Sequence, residues 1–96
     1  MSLEITVHTK DNCQQCLDTK RSLGKFKVLY RTVHVPNTDI ETIEKMRAIS
    51  DQMGIALTMP YVKVVDSATG DTEEWFGHRP DLIVEHIIAK RNRANR

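Results

Sequence analysis

The chain holds two cysteines, Cys13 and Cys16, separated only by Gln14 and Gln15. Residues three apart share one face of a helical turn, so the two sulfurs can close a small disulfide ring. A four-residue ring removes little entropy from the unfolded chain and therefore stabilises little. The pair suits a reversible redox switch better than a structural staple. The remainder of the chain reads as a scaffold that presents it.

Hydrophobic patterning gives that scaffold an order. Leu3, Ile5 and Val7 alternate with Glu4, Thr6 and His8, which predicts a first strand ending just before the cysteines. Polar Lys10-Asp11-Asn12 turns the chain into Cys13. From Cys16 the apolar spacing becomes helical, with Leu17, Leu23 and Phe26 as core positions and a stop near Gly24. Residues 28–35 are β-branched and aromatic, a second strand closed by Pro36. Thr38 and Glu41 have the spacing of a capping box ahead of a second helix over about 39–52, with Gly54 as its stop. A third strand is expected over 61–65, a hairpin loop over 66–71 and a fourth strand over 73–76. Pro80 and Asp81 suit the start of a last helix carrying Leu82, Ile83, Val84, Ile87 and Ile88.

The resulting order is β-α-β-α-β-β-α, an α/β fold. The strand–helix–strand unit gives a parallel pair, the hairpin adds antiparallel strands, and helices cover both faces. Thr6 and His8 fit a doubly covered central strand imperfectly, since such strands are nearly all apolar.

At 96 residues and 40% hydrophobic content the chain makes one domain, assigned to 1–89, followed by a basic tail, 90–96, expected to be disordered. A net charge of +1 argues against general nucleic-acid binding. No apolar run approaches the roughly 20 residues of a membrane span, and Met1-Ser2-Leu3-Glu4 does not begin a signal peptide. A cytoplasmic monomer with a redox-active cysteine pair is the expectation.

Three segments resemble the glutaredoxin branch of the thioredoxin superfamily, and within it the NrdH-type redoxins. The first is His8-Thr9-Lys10-Asp11-Asn12-Cys13-Gln14-Gln15-Cys16 with Thr19-Lys20-Arg21 after it. The second is Thr58-Met59-Pro60, similar to the superfamily segment whose proline, normally cis, faces the cysteines. The third is Trp75-Phe76-Gly77-His78-Arg79-Pro80-Asp81, similar to a W-S-G-F-R-P-D motif, with Phe76 and His78 as departures. The resemblance implies a four-stranded mixed sheet with three helices and an activity as a dithiol–disulfide electron carrier. It also implies electrons drawn from NADPH through thioredoxin reductase, with no bound cofactor, and delivery to a class Ib ribonucleotide reductase. Thr58, Met59, Pro60, Trp75, Gly77, His78, Arg79, Pro80 and Asp81 are the implied partner-binding residues.

Cys13, at the N-terminus of the first helix, is the candidate nucleophile, because unpaired N–H groups and the helix dipole favour its thiolate. Cys16, one turn deeper, is the candidate resolving thiol. The competing readings are inert buried thiols, or half a zinc site completed by His8 or His34. Lys10, Lys20 and Arg21 either favour the thiolate or are solvated charges. His8 is a strand-end residue or a proton shuttle, and Trp75 a core residue or a partner anchor. Arg79 and Asp81 either hold the loop or simply cap the helix. Two rival functions remain at this point: a glutathione-dependent glutaredoxin, and a metal- or iron–sulfur-binding module. Against the first stands the acidic hairpin with Asp66, Asp71, Glu73 and Glu74, which lacks the Gly-Gly loop of glutaredoxins and is expected to repel glutathione's carboxylates.

Overall fold

Alternation along the strands decides which side chains meet the helices. The computed structural model describes residues 3–94. Its strands are β1 (Leu3–Thr9), β2 (Arg31–His34), β3 (Tyr61–Asp66) and β4 (Thr72–Phe76). They form one sheet in the order β2-β1-β3-β4, with β1 parallel to β2 and antiparallel to β3, and β3 antiparallel to β4. The helices are α1 (Gln14–Lys25), α2 (Ile40–Met53) and α3 (80–94). The order is the one read from the sequence.

Register sorts the core into two layers. Val7, Val62 and Trp75 are directly paired and so share one face. With Ile5 and Val64 they pack against Leu23 of α1 and Ile83 and Ile87 of α3. On the other face His8, Tyr61 and Phe76 are paired in a row, and Tyr61, Phe76 and Val35 pack against Met46 of α2. Below that row the same face carries Thr6, Lys63 and Glu74, and Lys63 is exposed. The α2 side of the sheet is thus apolar at the cysteine end and polar beyond it, which explains Thr6 in a central strand; His8, in the apolar row, is accommodated by its bond to the Tyr61 carbonyl.

Several boundaries differ from the sequence reading. Only Arg31–His34 of the expected 28–35 strand is paired, because β2 is an edge with one neighbour; Val28 and Val35 are buried at its two ends while Leu29 is exposed. Helix α1 runs through Gly24 and is left by way of Lys27, at φ +56°. Its buried face is Cys16, Thr19 and Leu23, whereas Leu17, expected in the core, is 48% exposed. The cap of α2 is Asp39, not Thr38: its carboxylate accepts the Thr42 N–H at 3.1 Å, which holds the Asp39 carboxyl below the usual range. Gly54 ends α2 at φ +70°, as expected.

Helix α3 is α-helical over Pro80–Ile83, π-helical over Val84–Ile88 and α-helical again over Ala89–Ala94. The helix therefore continues past the domain end expected at Ala89, as far as Ala94; Asn95 and Arg96, the rest of the expected tail, lie outside the described residues. Arg91 has a structural use, since its guanidinium donates to the Phe26 carbonyl at 2.6 Å, satisfying an acceptor at the C-terminus of α1. Among the described residues no helix is long and apolar enough to cross a membrane.

Leu17 and Leu23 provide a direct check. Leu23→Ala should destabilise the protein by about 2–5 kcal/mol in urea unfolding, since it empties a fully buried site. Leu17→Ala should cost less than about 0.5 kcal/mol. Equal costs would refute the placement of α1.

Candidate redox site

Asn12, at φ +53°, turns the chain from β1 into α1, a conformation Asn tolerates better than most residues. Cys13 follows as the N-cap of α1 in extended geometry. Cap positions normally hold an oxygen that accepts an N–H of the first turn. Here Sγ of Cys13 does so, taking the Cys16 N–H at 3.1 Å. The two cysteines form a disulfide, with Cα atoms 5.3 Å apart. Cys13 is half-buried and Cys16 only 3% exposed. The first turn of α1 carries no acidic residue, and Asp18 beyond it accepts from Gln14 Nε2 at 3.0 Å.

The sulfur bound at the cap stands for the thiolate of the reduced protein. Unpaired N–H groups and the positive end of the helix favour a negative sulfur there. Cys16, enclosed in the core, lacks that exposure. The geometry thus leaves one sulfur accessible and encloses the other within ring-closing reach of it.

Two segments flank the pair. The Met59–Pro60 bond is cis. Thr58 and Met59 line a cleft of about 470 Å³ together with Cys13, and Pro60 is buried beneath them. Among the described residues neither backbone group of Met59 has a hydrogen-bond partner. The 77–79 segment is fastened on both sides. Gly77 N–H donates to the Pro60 carbonyl at 2.8 Å. The His78 N–H donates to Gln15 Oε1 at 2.9 Å, and the His78 ring meets the buried Thr19 hydroxyl at 3.1 Å. Gly77 sits at φ +89°, which favours glycine, and a Cβ there would come within 3.1 Å of Gln15 Oε1 and press on the amide that holds the His78 N–H.

The two departures from the W-S-G-F-R-P-D motif have visible partners. Phe76 stacks on Tyr61, with centroids 4.9 Å apart, and His78 finds Thr19. The spacing pattern could not reveal Gln15 and Thr19 as the fastening, because both partners lie more than fifty positions away in sequence.

Trp75 lies apart from the pair, and Pro80 and Asp81 continue the 77–79 segment into α3. Trp75 is 2% exposed in the α1–α3 core, with its ring near His86, so it offers no anchor to a partner. Arg79 is held by Asp81 through two bonds of 3.1 and 2.9 Å at the start of α3, while Pro80 occupies the first turn. The acidic hairpin is at the wrong end to act on glutathione: Asp66 pairs with Leu3, at the start of β1, while the cysteines follow the end of β1. His34 bonds Asp11 at 3.5 Å on the exposed edge, and His8 sits beneath α2's layer. No group of three or more His, Cys, Asp or Glu side chains gathers in metal-binding geometry among the described residues.

His8 donates from Nδ1 to the Tyr61 carbonyl at 3.2 Å. Burial is the main reason its pKa lies below the ordinary 6.5, with Lys63 adding to the shift and the Tyr61 bond opposing it. The folded state therefore binds this proton less readily than the unfolded chain. The stabilisation from neutral His8 is complete above 6.5 and is lost as pH falls below it. Urea unfolding at about pH 7.5 and about pH 5.5 should show a smaller acid loss for His8→Asn than for the parent chain. An identical loss would remove His8 from this role.

No protein-family model matches the chain, and no curated protein matches it. Solved structures do. The glutaredoxin-like NrdH-redoxin from Escherichia coli superposes with a TM-score of 0.57 at 22% identity, covering 85% of this chain and 92% of that one. A glutaredoxin from Archaeoglobus fulgidus gives 0.61 at 17% identity, with 85% and 83% covered. A thioredoxin from Malassezia sympodialis gives 0.52 at 14%, with 91% and 73% covered. With β2-β1-β3-β4 order, helices on both faces and the cysteines at the start of α1, the chain has the thioredoxin fold in its glutaredoxin-like form.

Proposed function

We propose that the protein is a dithiol–disulfide oxidoreductase that works as a small electron carrier. The observation that carries this reading is the Cys13–Cys16 disulfide at a helix N-terminus, with one sulfur accessible and the other buried. In the reduced protein the Cys13 thiolate attacks a sulfur of a partner's disulfide. A Cys13–partner disulfide forms and one partner sulfur leaves as a thiolate, which takes up a proton. Cys16 then loses its proton and attacks Cys13 Sγ. The Cys13–Cys16 bond forms, the second partner sulfur leaves, and the partner has gained two electrons.

The geometry beside the disulfide supports a protein as the partner. The unpaired backbone groups of Met59 form a short edge on which an extended segment can pair. Gly77, His78 and Arg79 form the opposite bank.

In the finer reading the carrier is reduced by thioredoxin reductase, with electrons from NADPH, and serves a class Ib ribonucleotide reductase. The support is the set of segments quoted from the sequence and the likeness in fold. The acidic hairpin, at the opposite end of β1, is too remote to repel glutathione at Cys13. What remains is the 77–79 bank: it has a single glycine, and the His78 N–H is already bound by Gln15 Oε1. A tripeptide with two carboxylates needs several such backbone donors.

NADPH consumption tests the proposal. Oxidised protein with thioredoxin reductase should turn over efficiently, and glutathione with glutathione reductase should support only weak, non-saturating turnover. Cys16→Ser should accumulate a mixed disulfide with its partner, and Cys13→Ser should be inactive. Saturable reduction by glutathione would replace this reading with a glutaredoxin, and trapping through Cys16 in Cys13→Ser would reverse the two roles.

A further inference from the structure

Two clefts, not one, meet at the disulfide. The first, of about 470 Å³, extends from Cys13 toward α2 and has an apolar wall of Val35, Ile43, Met46, Leu57 and Met59. The second, of about 390 Å³, lies on the α1 side and is lined by Cys13, Cys16, Leu17, Lys20, Asp11 and His34. Lys10, Asn12 and Cys13 line both, so Cys13 stands on the saddle between them.

The clefts differ in chemistry. Among the described residues, the only charged group on the first is Lys10. On the second, Asp11 is engaged by His34 at 3.5 Å, while Lys10 and Lys20 form no ion pair among the described residues. The second cleft therefore carries the Asp11 carboxylate and two ammonium groups outside any ion pair, of which Lys20 is the one the first cleft lacks, with the half-exposed Leu17 as its apolar rim.

We propose that this arrangement selects the partner: an extended, cysteine-bearing segment of a protein that spans both clefts, with an apolar side chain on one side of its cysteine and an acidic side chain on the other. The inference rests on the thiol–disulfide reading above and adds the partner's chemistry to it. An extended chain is required because the clefts lie to either side of Cys13. In such a chain residues two before and two after the cysteine point the same way as it does, about 7 Å from it. A segment whose cysteine meets Cys13 thus sends one of these side chains into each cleft. Apolar burial supplies affinity in the first, and charge complementarity supplies selection and faster encounter in the second.

The test uses short peptides whose central cysteine is held as a mixed disulfide with a small neutral thiol. The flanking positions carry Glu or Lys on one side and Leu or Ser on the other, in both orders. In a single turnover of the pre-reduced protein, the Cys13 thiolate forms the Cys13–peptide disulfide and releases the small thiol; Cys16 then releases the peptide as its thiol and leaves the Cys13–Cys16 disulfide. Turnover relative to that of a neutral small-molecule disulfide removes any effect on Cys13 itself. In the better of the two orders, Glu should exceed Lys by roughly fivefold at low salt, and the preference should shrink as salt rises. Lys20→Glu should abolish or invert the ratio and Lys20→Gln should reduce it. Ile43→Ser should lower the preference for Leu and leave the Glu-to-Lys ratio unchanged. Equal turnover of Glu and Lys peptides, a ratio untouched at Lys20, or peptides no better than the neutral small disulfide would overturn the inference while leaving the redox reading intact. Absence of turnover with every disulfide would remove both.

Discussion

The hydrogen bond from the Cys16 N–H to the Cys13 sulfur, 3.1 Å long at the first turn of α1, ties the chemistry to the fold. A helix start has N–H groups with no partner in the helix, and a negative group at the cap satisfies one of them while meeting the positive end of the dipole. In this chain the cap is a sulfur, so stabilising the helix and favouring a thiolate are the same interaction. It follows that the first turn should be free of competing carboxylates. The first turn has none, and the nearest acid, Asp18, bonds Gln14.

The rest of the structure holds that helix end in place. Leu23 fixes α1 against the sheet, and Arg91 of α3 satisfies the carbonyl of Phe26 at its far end. Gln15 and Thr19 bind the 77–79 segment to the same helix, and Gly77 N–H ties that segment to Pro60. Cysteine pair, Met59 edge and Gly77 bank therefore form one connected surface. The apolar end of the α2 layer lies below it, built from Tyr61, Phe76 and Met46. Away from the cysteines the same sheet face turns polar, so the apolar lining is concentrated beside the cysteine pair.

The fold was legible because its signals are local: alternation in β1, the punctuation at Pro36, Gly54 and Pro80, and the cysteine spacing. The Cys13–Cys16 disulfide was legible in the cysteine spacing, and the cis bond before Pro60 in Thr58-Met59-Pro60. What the sequence hid depends on distant neighbours. Leu17 and Leu23 look alike in the chain, yet only Leu23 reaches the sheet. Trp75 looks like an anchor until β4 is placed with its Trp75 side against α1 and α3. The acidic hairpin looks close to the cysteines until the antiparallel register carries it to the other pole. Thr38 fits a capping pattern, but the neighbouring Asp39 presents the stronger, charged acceptor.

The central claim is that helix position makes Cys13 a thiolate and burial keeps Cys16 a thiol. It is tested most directly by the pH dependence of alkylation in the reduced protein, with each cysteine followed by mass spectrometry. Cys13 should react with a midpoint clearly below the roughly 8.5 of an unperturbed thiol, and Cys16 with a midpoint above it. A Cys13 midpoint at or above that value, or one higher than that of Cys16, would contradict the account.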